Sequence, residues 1–167
     1  MTLKAREVLD DCRFALREFR TDPMGQEFRV RWVAAVTLLR AVGHVLRKVD
    51  GESSPRAKEA VRHAWERLPK DDPLWRFIDD ERNNVLKEYG FGAGQGVAIH
   101  VSSLGDGIVY GVVVGSQEVT YVMNSGPFKG RDPRDLIEEG LRLWETVLEA
   151  VETDIAGAGA DARQLET

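Results

Sequence analysis

Along the first 90 residues, apolar positions recur at helical spacing. Val8, Leu9, Cys12, Leu16 and Phe19 form one stripe, widened by Phe14 and Ala15, which predicts a helix from about Leu3 to Arg20. Thr21-Asp22-Pro23 breaks it. Asp22 is the expected N-cap of a second helix with Pro23 at its first position, because proline lacks only a donor that is unpaired there anyway. That helix runs to about Val49 and carries Phe28, Trp32, Ala35, Val36, Leu39, Val42, Gly43 and Leu46 on one stripe. Gly43 costs up to about 1 kcal/mol relative to alanine in a helix interior, and a close helix–helix contact would explain it. After the turn-forming residues 50–55, Ser54 and Pro55 open a third helix to about Arg67, with Ala57, Ala60, Val61, Ala64, Trp65 and Leu68 inward. Asp72 and Pro73 repeat the cap signature before a fourth helix to Tyr89, whose face is Leu74, Phe77, Ile78, Val85, Leu86 and Tyr89. Residues 79–84 put a polar stretch in the middle of that helix.

The pattern changes at residue 90. Gly90-Phe91-Gly92-Ala93-Gly94-Gln95-Gly96 reads as a flexible linker. Three β-type runs follow: 97–101, 108–114 (apolar on both faces, as a central strand is) and 119–123, separated by the turn signals Gly105-Asp106-Gly107 and Gly115-Ser116-Gln117. A last helix is expected from about Pro133 to Ile155, with Ile137, Leu141, Trp144, Leu148, Val151 and Ile155 inward. The expected architecture is therefore α+β: an N-terminal four-helix bundle over residues 1–90, then a three-stranded antiparallel meander and a C-terminal helix over 91–156, packed on the bundle, and a disordered tail at 157–167.

Composition narrows the function classes. The longest uncharged apolar run, Trp32 to Leu39, stops at Arg40, so no transmembrane helix is expected. Lys4, Arg6, Glu7, Asp10 and Asp11 stand where a signal peptide needs an apolar core, so the expected location is the cytoplasm. The single cysteine, Cys12, excludes an internal disulfide framework and lies on an apolar stripe, as a small buried hydrophobe would. Charge is uneven: residues 1–90 hold 18 Lys/Arg against 16 Asp/Glu, and residues 91–167 hold 5 against 12. The acidic half is a poor partner for a phosphate backbone, whereas cations on the four helices could cluster on one face.

Most chemical signatures are missing. His44, His63 and His100 form neither a Glu-x-x-His nor a His-Glu-x-x-His pattern, so no metal and no cofactor are expected. Asp79, Asp80 and Glu81 read as a solvated acidic face. The glycine-rich segment lies between a helix and a strand, the reverse of the dinucleotide-binding order. His44 reads as a core or boundary histidine, and His100 as outward-pointing. What remains is the polar middle of the fourth helix. Arg82 and Lys87 are either surface cations paired along the helix or, with Asn83, a site for phosphate, since a guanidinium fork binds two oxygens at once.

The helical half resembles the HEPN family. The resemblance covers residues 1–90 and rests on four consecutive helices, the Asp-Pro-Leu-Trp-x-Phe-Ile segment from Asp72 to Ile78, and Arg82-Asn83 following it. It implies a short helical bundle that commonly dimerises, and in many members a metal-independent ribonuclease of toxin–antitoxin or phage-defence systems. The implied site is an arginine and a polar residue, Arg82 and Asn83 here, followed by a histidine whose position falls near Lys87. No histidine occurs between Arg82 and His100. An ordinary lysine is almost wholly protonated at neutral pH and cannot replace imidazole as acid and base. The expectation is therefore a non-enzymatic interaction or regulatory protein, a homodimer with a protein partner. The alternative is a ribonuclease or RNA-binding protein contacting RNA through Arg82, Asn83 and Lys87.

Overall fold

The computed structural model describes residues 2–68, 72–98 and 118–164. They form α1 (Lys4–Phe19), α2 (Gln26–Lys48), a 3-10 turn (Asp50–Glu52), α3 (Pro55–Arg67), α4 (Pro73–Glu88), β1 (Ala93–Ala98), β2 (Glu118–Met123) and α5 (Pro133–Gln164). The fold is mostly helical α+β. No helix among the described residues is long and apolar enough to cross a membrane.

Local signals set most helix starts. The Ser54 hydroxyl accepts the Ala57 N–H at 3.1 Å and Asp72 accepts the Leu74 N–H at 2.8 Å, each ahead of a proline in the first turn. The third cap is different. α2 starts at Gln26 behind Gly25, whose φ of +58° a glycine adopts without strain, and not at Asp22-Pro23. Tertiary contacts claim those two residues: the Asp22 carboxylate accepts from Arg134 Nη1 at 2.9 Å, and the Pro23 carbonyl accepts from the Tyr121 hydroxyl at 2.8 Å. α1 has no side-chain cap of its own. Its first turn is capped across the fold by the buried Asp50, whose oxygens accept the N–H groups of Lys4 (2.7 Å) and Ala5 (2.9 Å).

One apolar cluster unites all five helices and β2. Every residue of the predicted α2 stripe is buried, Gly43 included. Gly43 is where α2 meets the indole of Trp144, which is fully buried on α5: a Cβ there would lie 2.7 Å from Trp144 Cζ2. Trp144 in turn meets Trp75 edge-on at 4.7 Å and Trp65 at 6.1 Å. The four N-terminal helices thus share their core with α5, on which α3 chiefly packs, and do not close a core of their own. Phe14, Leu86 and Tyr89, expected on inward faces, are exposed.

Charge repeats bind α5 to α1. Arg6, Arg13 and Arg20 recur every seventh residue, as do Glu138, Glu145 and Glu152, and they pair in antiparallel order. Arg6 meets Glu145 and Glu152, Arg13 meets Glu145, and Arg20 meets Glu138. The acidic C-terminal half therefore lies against arginines of the N-terminal half. α5 extends to Gln164, beyond Ile155 where the apolar pattern ends, through alanine-rich sequence that favours helix.

β1 and β2 pair antiparallel, Ala93 opposite Met123 and Ala98 opposite Glu118. β1 therefore begins inside the segment expected to be a flexible linker. Two bonds fix its entry: the Gly92 N–H donates to Glu81 Oε2 at 3.1 Å, and the Gly92 carbonyl accepts the Asn124 N–H at 2.8 Å. A Cβ at Gly92 would sit 2.7 Å from the Glu81 carboxyl carbon, so any larger residue there would displace that carboxyl from the Gly92 N–H. The described sheet has two strands: β2 covers the expected run 119–123, whereas β1 shares only Val97 and Ala98 with the expected run 97–101. The two pair directly, so the three-stranded meander is not seen among the described residues. The expected middle strand, 108–114, lies outside the described residues. Tyr121 seats the sheet on the helices, stacking on Phe28 at 5.5 Å and touching Phe19 at 5.7 Å.

Candidate functional site

α2 and α4 pack with their apolar faces inward, and their next faces form the walls of an open polar cleft of about 450 Å³. α2 contributes Thr37, Arg40, Ala41 and His44, and α4 contributes Asp79, Arg82 and Asn83. Both sets are spaced by three and four residues, which puts each on one side of its helix.

The pairing inside the cleft decides what Arg82 can do. Asp79, one turn before Arg82, is engaged by the Arg40 guanidinium. Arg82 donates from Nη1 to Asn83 Oδ1 at 3.0 Å and makes no ion pair among the described residues. Arg82 and Asn83 are half-buried, and His44 is exposed at the mouth. Thr37 Oγ1 is buried there without a hydrogen-bond partner among the described residues. The cleft thus carries two guanidiniums, an imidazole, a carboxamide and a hydroxyl against one carboxylate already paired. That donor-rich, net positive set suits an oxyanion such as phosphate.

The structure brings Arg82 and Asn83 together and leaves Lys87 out: it is exposed and forms no part of the cleft wall. His44 is at the cleft, not in the core. It shares a face with Arg40, while Leu39, Val42, Gly43 and Leu46 take the core side of α2. His63 is on α3 with its Nε2 3.0 Å from Glu59 Oε1, and His100 lies outside the described residues. Sequence reasoning missed Arg40 and His44. The available signal was a polar pair four residues apart beside the longest apolar stripe.

The acidic trio of α4 divides three ways. Asp79 pairs with Arg40, Asp80 is exposed, and Glu81 is buried rather than solvated. Burial raises the Glu81 carboxyl above its ordinary value, and the Gly92 N–H bond only partly opposes this. Glu81 borders a second cleft of about 490 Å³ between α4 and the loop after β2, walled by Phe77, Met123 and Phe128. Burial pushes the Cys12 thiol up to about 12, so it is a packing group and not a nucleophile. Among the described residues no His, Cys, Asp and Glu side chains cluster to hold a metal ion. Comparison with known proteins finds no matching family, no matching curated protein and no matching solved structure.

Proposed function

We propose that the chain is a HEPN-like helical protein that binds RNA through the α2–α4 cleft without cleaving it. One observation carries this reading: Arg82, free of any carboxylate among the described residues, shares a cleft with Arg40, His44 and Asn83. A guanidinium already neutralised would contribute little to a phosphate. One held only by a neighbouring amide can turn its fork to two phosphate oxygens. Cleavage needs more, namely an acid and a base placed on opposite sides of the scissile phosphate. The cleft offers one imidazole, its carboxylate is held by Arg40, and Lys87 stands outside. The net charge of −5 disfavours indiscriminate attachment to nucleic acid, so binding is confined to the cleft and weakens with salt.

The test is fluorescence anisotropy of a labelled oligouridylate with the full chain at low salt. Arg82→Ala should weaken binding about tenfold, the loss of one charge-assisted contact, with the thermal midpoint unchanged. No binding by the wild type overturns the proposal. His44 in the same cleft favours a second reading, a metal-independent ribonuclease. Under it, RNA is cut in EDTA and the cutting is lost in His44→Ala.

A further inference from the structure

The polar face of α2 does not end at His44. One turn further on, Arg47 and Lys48 are exposed and make no ion pair among the described residues. They line a further cleft of about 360 Å³ between α2 and α3, with Arg62 and Trp65 on the far wall. The other cations there are already matched: Arg62 with Glu59 and Glu66, and Lys58 with Glu52. Arg47 is also held in position. Its guanidinium lies 5.1 Å over the Trp65 ring, and that ring is braced by Trp75 and Trp144, each at 6.1 Å. A guanidinium held over an indole by cation–π attraction is a planar cation with less freedom left to lose. Planar cations of this kind stack the faces of unpaired bases, which a duplex hides.

We propose that single-stranded RNA runs along α2 from the Arg82 cleft into the α2–α3 cleft, with a base stacked on Arg47 and the adjoining phosphate neutralised by Lys48. The inference rests on the RNA-binding reading above and adds its path, length and strand preference. From Arg40 to Lys48 the helix rises about 12 Å, the reach of three to four nucleotides at the roughly 3.4 Å spacing of a stacked strand. Another arginine-lined cleft, between α1 and α5, provides a comparison. Arg13 and Arg20 there are paired with Glu145 and Glu138, and Arg142 lines the wall. Arg17 lies over the Phe14 ring, which is exposed and, unlike Trp65, touches no other ring among the described residues.

The experiment measures anisotropy with a uridine dinucleotide, an oligouridylate octamer and the same octamer in duplex, from about 50 to about 200 mM salt. The Arg47→Ala, Lys48→Ala double variant should bind the octamer at least tenfold more weakly, with dinucleotide binding unchanged. Its log–log salt slope should be shallower by about 0.7, the one phosphate contact that Lys48 makes in a single strand. Arg47→Lys should keep the slope but lose part of the affinity, since the charge remains and the plane does not. An Arg17→Ala, Arg142→Ala variant removes the same charge elsewhere and should bind like wild type, and the duplex should bind more weakly than the single strand. If the double variant keeps its affinity and slope while Arg82→Ala loses binding, the path along α2 is wrong and the cleft reading stands. Equal losses in the Arg17, Arg142 variant, or equal binding of the duplex, also overturn the path. Failure of the wild type to bind the octamer at low salt overturns both readings.

Discussion

Replacing Gly43 by alanine probes the contact that joins α5 to the N-terminal helices. An added Cβ would lie 2.7 Å from Trp144 Cζ2 and nearer still to Cη2, whereas non-bonded carbons settle at roughly 3.5–4.0 Å. The indole cannot swing aside, because it is fully buried and meets Trp65 and Trp75. α2 and α5 must therefore separate. Overpacking of a dense core costs about 1–3 kcal/mol, and the depth of this overlap puts Gly43→Ala at the upper end. Alanine returns about 1 kcal/mol of helix propensity, leaving a net loss of about 2 kcal/mol. For a chain of this size the thermal midpoint should fall by about 4–8 °C. Urea and thermal unfolding followed by far-UV circular dichroism measure this, and tryptophan fluorescence reports the ring cluster directly. Adding Trp144→Phe to Gly43→Ala should recover part of the loss, a coupling that independent sites would not show. A Gly43→Ala protein as stable as wild type, or more so, would refute the packing argument.

Other side chains give further expectations. Asp50→Ala strands the Lys4 and Ala5 N–H groups and should cost about 2–4 kcal/mol in urea unfolding, while Asp50→Asn keeps one acceptor and should cost less. An Asp50→Ala protein of wild-type stability would show that water replaces the carboxylate. Burial favours protonated Glu81, so the folded chain holds a proton that the unfolded chain releases between its ordinary value of 4.5 and the raised one. The stability Glu81 contributes is complete below that window and falls as pH rises through it. Glu81→Gln should remove this fall in a pH series of urea melts, and parallel profiles would contradict it. Cys12, buried with its thiol toward the Ala35 carbonyl at 3.5 Å, should react with a thiol reagent only on unfolding, so rapid labelling of native protein would contradict its placement.

The helices were legible where local chemistry decides them. Ser54-Pro55 and Asp72-Pro73 open α3 and α4 because cap and proline satisfy the first turn without outside help. Asp22-Pro23 carries the same signature and fails because Arg134 and Tyr121, more than a hundred residues or nearly so along the chain, take its polar groups. Gly43 announced a close helix contact, though not that Trp144 makes it. The glycines before β1 looked flexible because a lone sequence does not reveal that Glu81 and Asn124 hold Gly92. The site was half legible. Arg82 and Asn83 stood out as a polar break within an apolar helix. Arg40 and His44 did not, because the register in which α2 meets α4 is set by packing and leaves no local mark.

The most direct test of the proposal that the α2–α4 cleft binds RNA is to observe its side chains as RNA is added. Two-dimensional NMR of the arginine Nε–Hε groups and the His44 imidazole, during titration with an oligouridylate octamer at low salt, reads each group separately. Saturable shifts should appear at Arg82, Arg40 and His44, and the same titration of Arg82→Ala should leave Arg40 and His44 largely unmoved. Shifts confined to Arg13, Arg17, Arg20 and Arg142 in the α1–α5 cleft, or none at all, would contradict the account.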